Sequence, residues 1–208
     1  MIINTGGRTD TVQYYTTWLL NRFREGYVLT RNPLFPHKIS RYELTPEKVD
    51  CVVFCSKNYR PILPRLEEIT SRFPTYFHYT ITAYGTDVEP GVPSTGESMA
   101  TLKELSRLVG KQRIAWRYDP VLLTDTYTVQ RHLETFETMA AELAPYIDRC
   151  IFSFVEMYKR LETHMPELIP LTEQDRDELA KGLGAIAQSH GIFLQTCGTN
   201  GDYSPYGI

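Results

Sequence analysis

The sequence predicts an α/β fold: an incomplete (β/α) barrel of about six parallel strands with flanking helices and a small β-hairpin insertion. Short apolar runs recur along the 208 residues, and segments with apolar residues at helical spacing separate them. Parallel strands need crossover connections and are covered by helices, so this alternation favours a parallel sheet. Without a repeat or a long linker, the pattern predicts one domain over residues 1–208.

Six runs are typical of strands, and five segments between them are typical of helices. The predicted strands are residues 2–4, which is the weakest, 52–54, 77–83, 113–118, 150–155 and 192–197. The predicted helices are residues 11–23, 61–73, 98–109, 127–143 and 173–190. Thr172 with Asp175 three residues later is a variant of the capping box, and Gly191 follows the end of that last helix.

One insertion interrupts the alternation of strands and helices. Residues 26–30 and 38–44 alternate in polarity around the turn-forming sequence Asn32-Pro33-Leu34-Phe35-Pro36. Two alternating runs joined by such a turn predict a β-hairpin, at about residues 26–44.

Six β/α units fit either an open doubly wound sheet or an incomplete barrel. The first strand is followed by Gly6-Gly7 and not by G-x-G-x-x-G, and no G-x-x-x-x-G-K-[ST] occurs. Nucleotide binding through these two motifs is therefore not predicted, and the barrel is the favoured architecture.

Polar residues follow the ends of the predicted strands, where both architectures bind ligands. The candidates among these residues are Arg8, Asp10, Lys57, Thr82, Arg117, Asp119 and Glu156, and Ser56, Ser153 and Cys197 stand beside them. A buried cation needs an anionic partner, so Arg117 could pair with Asp119 or Glu156, and Lys57 with Asp10, as structural ion pairs. Taken together, three basic and three acidic side chains at one rim favour a polar ligand pocket.

Several other kinds of site and partner are not predicted. Cys51 and Cys55 lie four residues apart on one strand, about 13 Å at the usual rise, which is too far for one small cluster. The five histidines are isolated, so no metal site is predicted, and G-x-S-x-G is absent. A net charge of -3 gives no reason to expect nucleic acid. Scattered cysteines and the lack of a long apolar run predict a cytoplasmic protein that does not enter a membrane.

Seven segments together resemble one family. They are MIINTGGRTD, WLLNRFREGYVLTRNP, KISRYEL, VDCVVFCSKN, YTITAYG, RIAWRYDP and FSFVEMY, in this order. Together they cover nearly all of the chain, and the early RTD, the GYV-x-x-RNP hairpin and WRYDP are a specific combination. On these segments the sequence resembles bacterial domain-of-unknown-function family eighteen forty-eight.

The resemblance implies a β/α barrel similar to that of radical S-adenosylmethionine proteins. Members of the family continue beyond the point that corresponds to Ile208 and carry a C-x-x-x-C-x-x-C run there. Three thiolates of such a run hold a [4Fe-4S] cluster whose open iron binds S-adenosylmethionine. The present sequence has no such run. We therefore expect a truncation after Ile208, no cofactor in this chain itself and no activity from the chain alone.

Three functions are compatible with these observations. The first is the barrel portion of a radical S-adenosylmethionine-like iron–sulfur enzyme of unknown substrate, with an open barrel edge through which a dimer could form. In it, Lys57, Arg117, Asp119 and Glu156 are the candidate catalytic residues, and Arg8, Asp10 and Thr82 the candidate cofactor-binding residues. The second is a non-catalytic barrel that binds a small metabolite. The third is a metal-free enzyme that uses Asp119 or Glu156 as general base and Lys57 or Arg117 to stabilise charge.

Overall fold

The computed structural model describes residues 1–199 and 201–208, apart from the side chains of residues 160 and 162. Its strands are β1 (Ile2–Asn4), β2 (Tyr27–Arg31), β3 (Ile39–Glu43), β4 (Cys51–Ser56), β5 (Thr75–Thr80), β6 (Ile114–Val121), β7 (Arg149–Phe154) and β8 (Phe193–Thr196). Its helices are α1 (Thr11–Glu25), α2 (Glu67–Thr70), α3 (Thr95–Val109), α4 (Val129–Leu143), α5 (Lys159–His164) and α6 (Glu173–Ser189). None of these described helices is long and apolar enough to cross a membrane.

Six strands form one parallel sheet in the order β1-β4-β5-β6-β7-β8, and β2 and β3 form a separate two-stranded sheet. The predicted α/β class, with about six parallel strands, flanking helices and a hairpin, is confirmed. The chain divides into two compact units, Met1–His78 and Tyr79–Ile208. The assignment of residues 1–208 to a single domain stays a prediction.

In the unit Met1–His78, β1 pairs in parallel with β4, and α1 buries Leu19, Leu20 and Phe23. Gly26 follows the last residue of helix α1 and has a φ of 77°, a backbone conformation that residues with a side chain rarely adopt. Strand β2 begins directly after Gly26. Strands β2 and β3 pair in antiparallel register, from Tyr27 opposite Glu43 to Arg31 opposite Ile39. The predicted hairpin is therefore confirmed, because alternation and turn residues specify it locally.

In the unit Tyr79–Ile208, β6 pairs in parallel with β7, and β7 with β8. Alternate residues of β6 point to opposite faces of the sheet. Trp116 and Tyr118 share one face, where Trp116 stacks on Phe136 of α4 at 4.9 Å between ring centroids. The Tyr118 hydroxyl lies 2.8 Å from Nδ1 of the fully buried His132. This aromatic layer fixes the β6 backbone and leaves the opposite face of the strand to polar side chains.

The predicted start of α6 is confirmed, whereas the helix predicted over residues 61–73 is not found. Thr172 caps α6 through a reciprocal capping box with Asp175, as predicted. The prediction of one helix over residues 61–73 is wrong. A 3-10 turn, Leu63–Arg65, precedes the four-residue helix α2. Pro64 lies within the predicted helix, and proline lacks the N–H group that a helix interior requires.

Candidate functional site

The opposite face of the β6–β7–β8 sheet carries a polar cluster at the strand ends, formed by Arg117, Asp119, Ser153 and Cys197. Arg117 donates to Asp119 Oδ2 from Nε at 3.0 Å and also from Nη2. Ser153 at the end of β7 donates to the other carboxylate oxygen, Oδ1. Cys197, which directly follows β8, lies close enough to Arg117 to interact with it electrostatically. Three neighbouring strands therefore converge on one ion pair, and we call this group the Arg117 cluster.

Burial and the neighbouring negative charge shift the pKa of Arg117 in opposite directions. About a fifth of each side chain of the pair is exposed, 22% for Arg117 and 18% for Asp119. Burial acts to lower the pKa of Arg117, but the hydrogen bond and negative charge of Asp119, with a smaller effect of Cys197, raise it overall. Arg117 is consequently a cation at neutral pH. The Asp119 carboxylate, with both oxygens engaged, orients this cation.

Two other candidates of the same unit lie in different surroundings. Thr82 is buried, and its hydroxyl donates to Glu89 at 3.0 Å. Glu156 is exposed beyond the end of β7. Of the two carboxylates predicted as partners for Arg117, the hydrogen-bonded ion pair uses Asp119.

In the unit Met1–His78, Asp10 joins the start of α1 to the end of β4. Its carboxylate caps α1 by accepting from the Gln13 amide at 2.8 Å. It also accepts from the Ser56 hydroxyl at 2.8 Å and from the Lys57 backbone amide at 3.0 Å. The contact between Lys57 and Asp10 thus includes a backbone hydrogen bond that the sequence did not predict. A carboxylate with this many donors holds the loop after β1 in place.

Arg8 is exposed and borders a cavity of the same unit that β1, α1 and the hairpin line. The cavity has a volume of about 570 Å³. The prediction from the strand ends did not include this cavity, because β2 and β3 contribute to its wall.

The cysteines do not fit an iron–sulfur cluster. No group of three or more His, Cys, Asp or Glu side chains within residues 1–199 and 201–208 could hold a metal ion. Cys51 and Cys55 are half-buried on β4, and Cys197 is exposed. Burial raises the pKa of the Cys150 thiol well above its usual range, so Cys150 is protonated and not a thiolate ligand. A cluster that acts with this chain needs thiolates from elsewhere.

Ser56 and Ser153 stood among the polar residues at the predicted strand ends, whereas Glu89 was not predicted as a partner of any candidate residue. Ser153 meets Asp119 where the β6–β7 register becomes irregular between Tyr118 and Val121. The position of Ser56 and Ser153 at the ends of their strands was predicted, but their hydrogen bonds to Asp10 and Asp119 were not. Glu89 reaches Thr82 from the loop that precedes α3, and no local pattern marks it.

Parallel strands with a polar cluster at their carboxyl ends define this chain as a β/α protein with a candidate small-ligand site. The chain belongs to the family described as Domain of unknown function (DUF1848), whose model matches residues 2–208. None of the curated proteins compared matches its sequence significantly.

The fold is similar to that of a solved structure, spore photoproduct lyase complexed with dinucleoside spore photoproduct. The TM-score is 0.61 and the identity 11%, over 96% of this chain and 61% of the lyase chain. The chain thus spans about three fifths of the length of the lyase that it resembles. At this identity the similarity shows the fold alone.

Proposed function

We propose that this chain is the β/α portion of a radical S-adenosylmethionine-like iron–sulfur enzyme of unknown substrate. The observation that carries the proposal is the structural likeness to spore photoproduct lyase, an enzyme of that class, over 96% of the chain. Membership of the DUF1848 family over residues 2–208 supports it, because the sequence resemblance to that family implies the same class. The chain matches 61% of the lyase, and the thiolates for a cluster would come from outside residues 1–208.

In this proposal the chain supplies the binding face and not the cluster. The described residues do not fit a [4Fe-4S] cluster, so residues 1–208 alone are expected to be inactive. S-adenosylmethionine, when bound beside a reduced cluster, supplies the radical. Arg117 would bind a carboxylate of the ligand through the exposed part of its guanidinium, while Asp119 and Ser153 hold that group in position.

The other candidate residues keep the roles that the sequence predicts for them. Lys57 and Glu156 are each proposed as catalytic residues, and Arg8, Asp10 and Thr82 each as cofactor-binding residues. For Asp10 and Thr82 the contacts support a positioning role. The Asp10 carboxylate accepts hydrogen bonds from three other residues, and the Thr82 hydroxyl donates to Glu89.

A second function, a non-catalytic module that binds a small metabolite, is supported by the state of Asp119. Both of its oxygens accept hydrogen bonds, one from Arg117 and one from Ser153. A carboxylate with both oxygens engaged in this way positions Arg117 and presents neither oxygen freely to a ligand. The same contacts argue against the third hypothesis, metal-free catalysis by Asp119.

The test is to purify the protein from its native source without oxygen and to measure its mass, visible absorption, iron and sulfide. We expect a brown protein heavier than 24.0 kDa that, once reduced, cleaves S-adenosylmethionine. Residues 1–208 expressed alone and treated with iron and sulfide are the matched control and should stay colourless. A colourless native protein of 24.0 kDa would overturn the proposal and favour the metabolite-binding module.

A further inference from the structure

The cavity of the unit Met1–His78 has the size of a small-molecule site. Its volume of about 570 Å³ lies within the range of roughly 300–1,000 Å³ that ligand pockets occupy. Helix α1 contributes Trp18 and Arg22, β1 contributes one edge, and the hairpin contributes Val28 and Tyr42. The wall therefore comes from elements outside the Arg117 cluster.

The lining combines aromatic surface with a cation. Trp18 is 46% exposed and Tyr42 is 42% exposed, although large aromatic side chains are usually buried where the fold can bury them. Both rings line the cavity. Exposed aromatic rings in a concave surface favour a ligand with a flat apolar body, because its burial removes apolar area from water.

The cation is Arg22, and its surroundings within the described residues do not satisfy it. Its Nε is buried and has no hydrogen-bond partner among residues 1–199 and 201–208. Its guanidinium lies 5.6 Å from the centre of the Tyr27 ring, and that of Arg41 lies 3.7 Å from the same centre. No carboxylate of the described chain forms an ion pair with Arg22 or Arg41. Of these residues Arg22 lines the cavity, so an anion bound there would meet its positive charge.

A second unsatisfied group lines the same cavity. Thr5 directly follows β1 and is only 8% exposed. Its hydroxyl oxygen has no hydrogen-bond partner within the described part of the chain. Buried polar groups normally have a partner, so this hydroxyl marks imperfect packing in the wall of the cavity.

We propose that this cavity binds a small organic anion with a flat, apolar body, with the anionic group at Arg22 and the body against Trp18 and Tyr42. A neutral apolar ligand would fill the same space but would leave the Arg22 guanidinium without a counter-charge. The proposal does not depend on the proposed enzymatic function, because no cluster and no residue outside Met1–His78 takes part.

The test titrates the whole 208-residue chain, tagged only at its C-terminus, with anilinonaphthalene sulfonate, a flat aromatic anion. We expect saturable binding at one site with quenching of tryptophan emission. Trp18 lies in the cavity and Trp116 is fully buried, so contact quenching falls on Trp18 and Trp18→Phe should reduce the quenching. Neutral phenylnaphthylamine, which has nearly the same shape without the charge, is the comparison ligand.

Two arginines of α1 provide matched variants. Arg22→Gln removes the charge in the cavity and should weaken sulfonate binding about tenfold, with less than a twofold effect on the neutral probe. Arg24→Gln removes the same charge from a residue that pairs with Glu68 at 2.8 Å and should leave both probes unaffected. Val28→Trp fills the cavity and should abolish binding of both probes, with thermal unfolding as the check that each variant is folded.

The proposal is overturned if Arg22→Gln and Arg24→Gln weaken sulfonate binding equally. It is also overturned if Val28→Trp binds both probes as the unchanged chain does, since binding would then be elsewhere. A peptide of alternating apolar residues that binds more tightly than the sulfonate and displaces it would identify a strand-pairing groove beside β1 instead. Failure of the iron–sulfur test affects none of these results.

Discussion

Replacing Asp119 by Asn tests whether the Arg117 cluster is organised by an ion pair. The substitution keeps the size of the side chain and one oxygen acceptor but removes the charge that faces Arg117. Breaking a fully buried ion pair by removing one partner costs about 3–5 kcal/mol. The side chains of Arg117 and Asp119 are 22% and 18% exposed, so water reaches the remaining charge and reduces the cost. We expect about 2–3 kcal/mol, within the range set by partial burial.

The free energy of unfolding is measured by urea denaturation at pH 7 and 25 °C, and the melting temperature by calorimetry. For a chain of 208 residues, 1 kcal/mol corresponds to about 2–4 °C, so Asp119→Asn should lower the melting temperature by about 4–12 °C. The matched control is Asp148→Asn in the same unit. Asp148 pairs with Arg149 at 2.7 Å, but the two side chains are 30% and 36% exposed, and we expect a loss below about 1 kcal/mol.

A double-mutant cycle measures the interaction free energy between Arg117 and Asp119 separately from the effect of each single substitution. Arg117→Gln alone leaves Asp119 without its cation, whereas the double variant Arg117→Gln/Asp119→Asn leaves two neutral partners. The double variant should therefore cost clearly less than the sum of the two single changes. Additive costs, or an Asp119→Asn effect no larger than that of Asp148→Asn, would refute an organising ion pair. If the variants lower stability but leave any ligand binding of the native protein unchanged, the pair is structural only.

Three further predictions concern the unit Tyr79–Ile208. Thr172→Ala removes the capping box of α6 and should lower the free energy of unfolding by about 1 kcal/mol; a loss below about 0.3 kcal/mol would contradict this. Gly184→Ala places a methyl group 2.6 Å from the Tyr206 carbonyl oxygen and should destabilise the fold. Gly96→Ala in α3 is the control, since its methyl group meets no atom within 4 Å and the change should be neutral or stabilising. Equal changes in the free energy of unfolding for the two variants would contradict the prediction. Burial lowers the pKa of His132 below its usual value of 6.5, so the unfolded chain binds this proton more readily than the folded one. Stability should therefore fall as the pH drops below about 6.5 towards the lower folded-state pKa, and urea denaturation at a series of pH values should show a shallower fall for His132→Gln; identical slopes would contradict the assignment.

The parts of the fold that the sequence predicted are those that local patterns specify. The hairpin follows from alternation around Asn32-Pro33, and the start of α6 follows from Thr172 and Asp175, three residues apart. The helix predicted over residues 61–73 is wrong because apolar spacing outweighed Pro64 in the prediction. Helix α5, Lys159–His164, was not predicted, since six residues are too few to establish a helical period.

The candidate site could be predicted only from the rule that parallel β/α folds bind ligands at the ends of their strands, here called the strand-end rule. That rule found Arg117 and Asp119, because residues two apart on one strand share a face. It could not choose between Asp119 and Glu156 as the partner, since that depends on where β7 ends and on the irregular register beside it. Ser153 joins the pair through the same register, which depends on tertiary packing and not on any spacing along the chain.

The same limit explains why the cavity at Arg22 was outside the prediction. Its walls come from β1, α1 and the hairpin, and only the folded chain brings Trp18 close to Val28 and Tyr42. In the sequence, Trp18 and Arg22 look like one face of an ordinary helix, four residues apart. The structure shows that this face is only partly covered, because Trp18 remains 46% exposed and Arg22 Nε has no partner in the described chain. An exposed aromatic ring beside an unsatisfied cation is a property of packing, and for this reason a ligand class can be proposed from the structure where the sequence suggested only a helix.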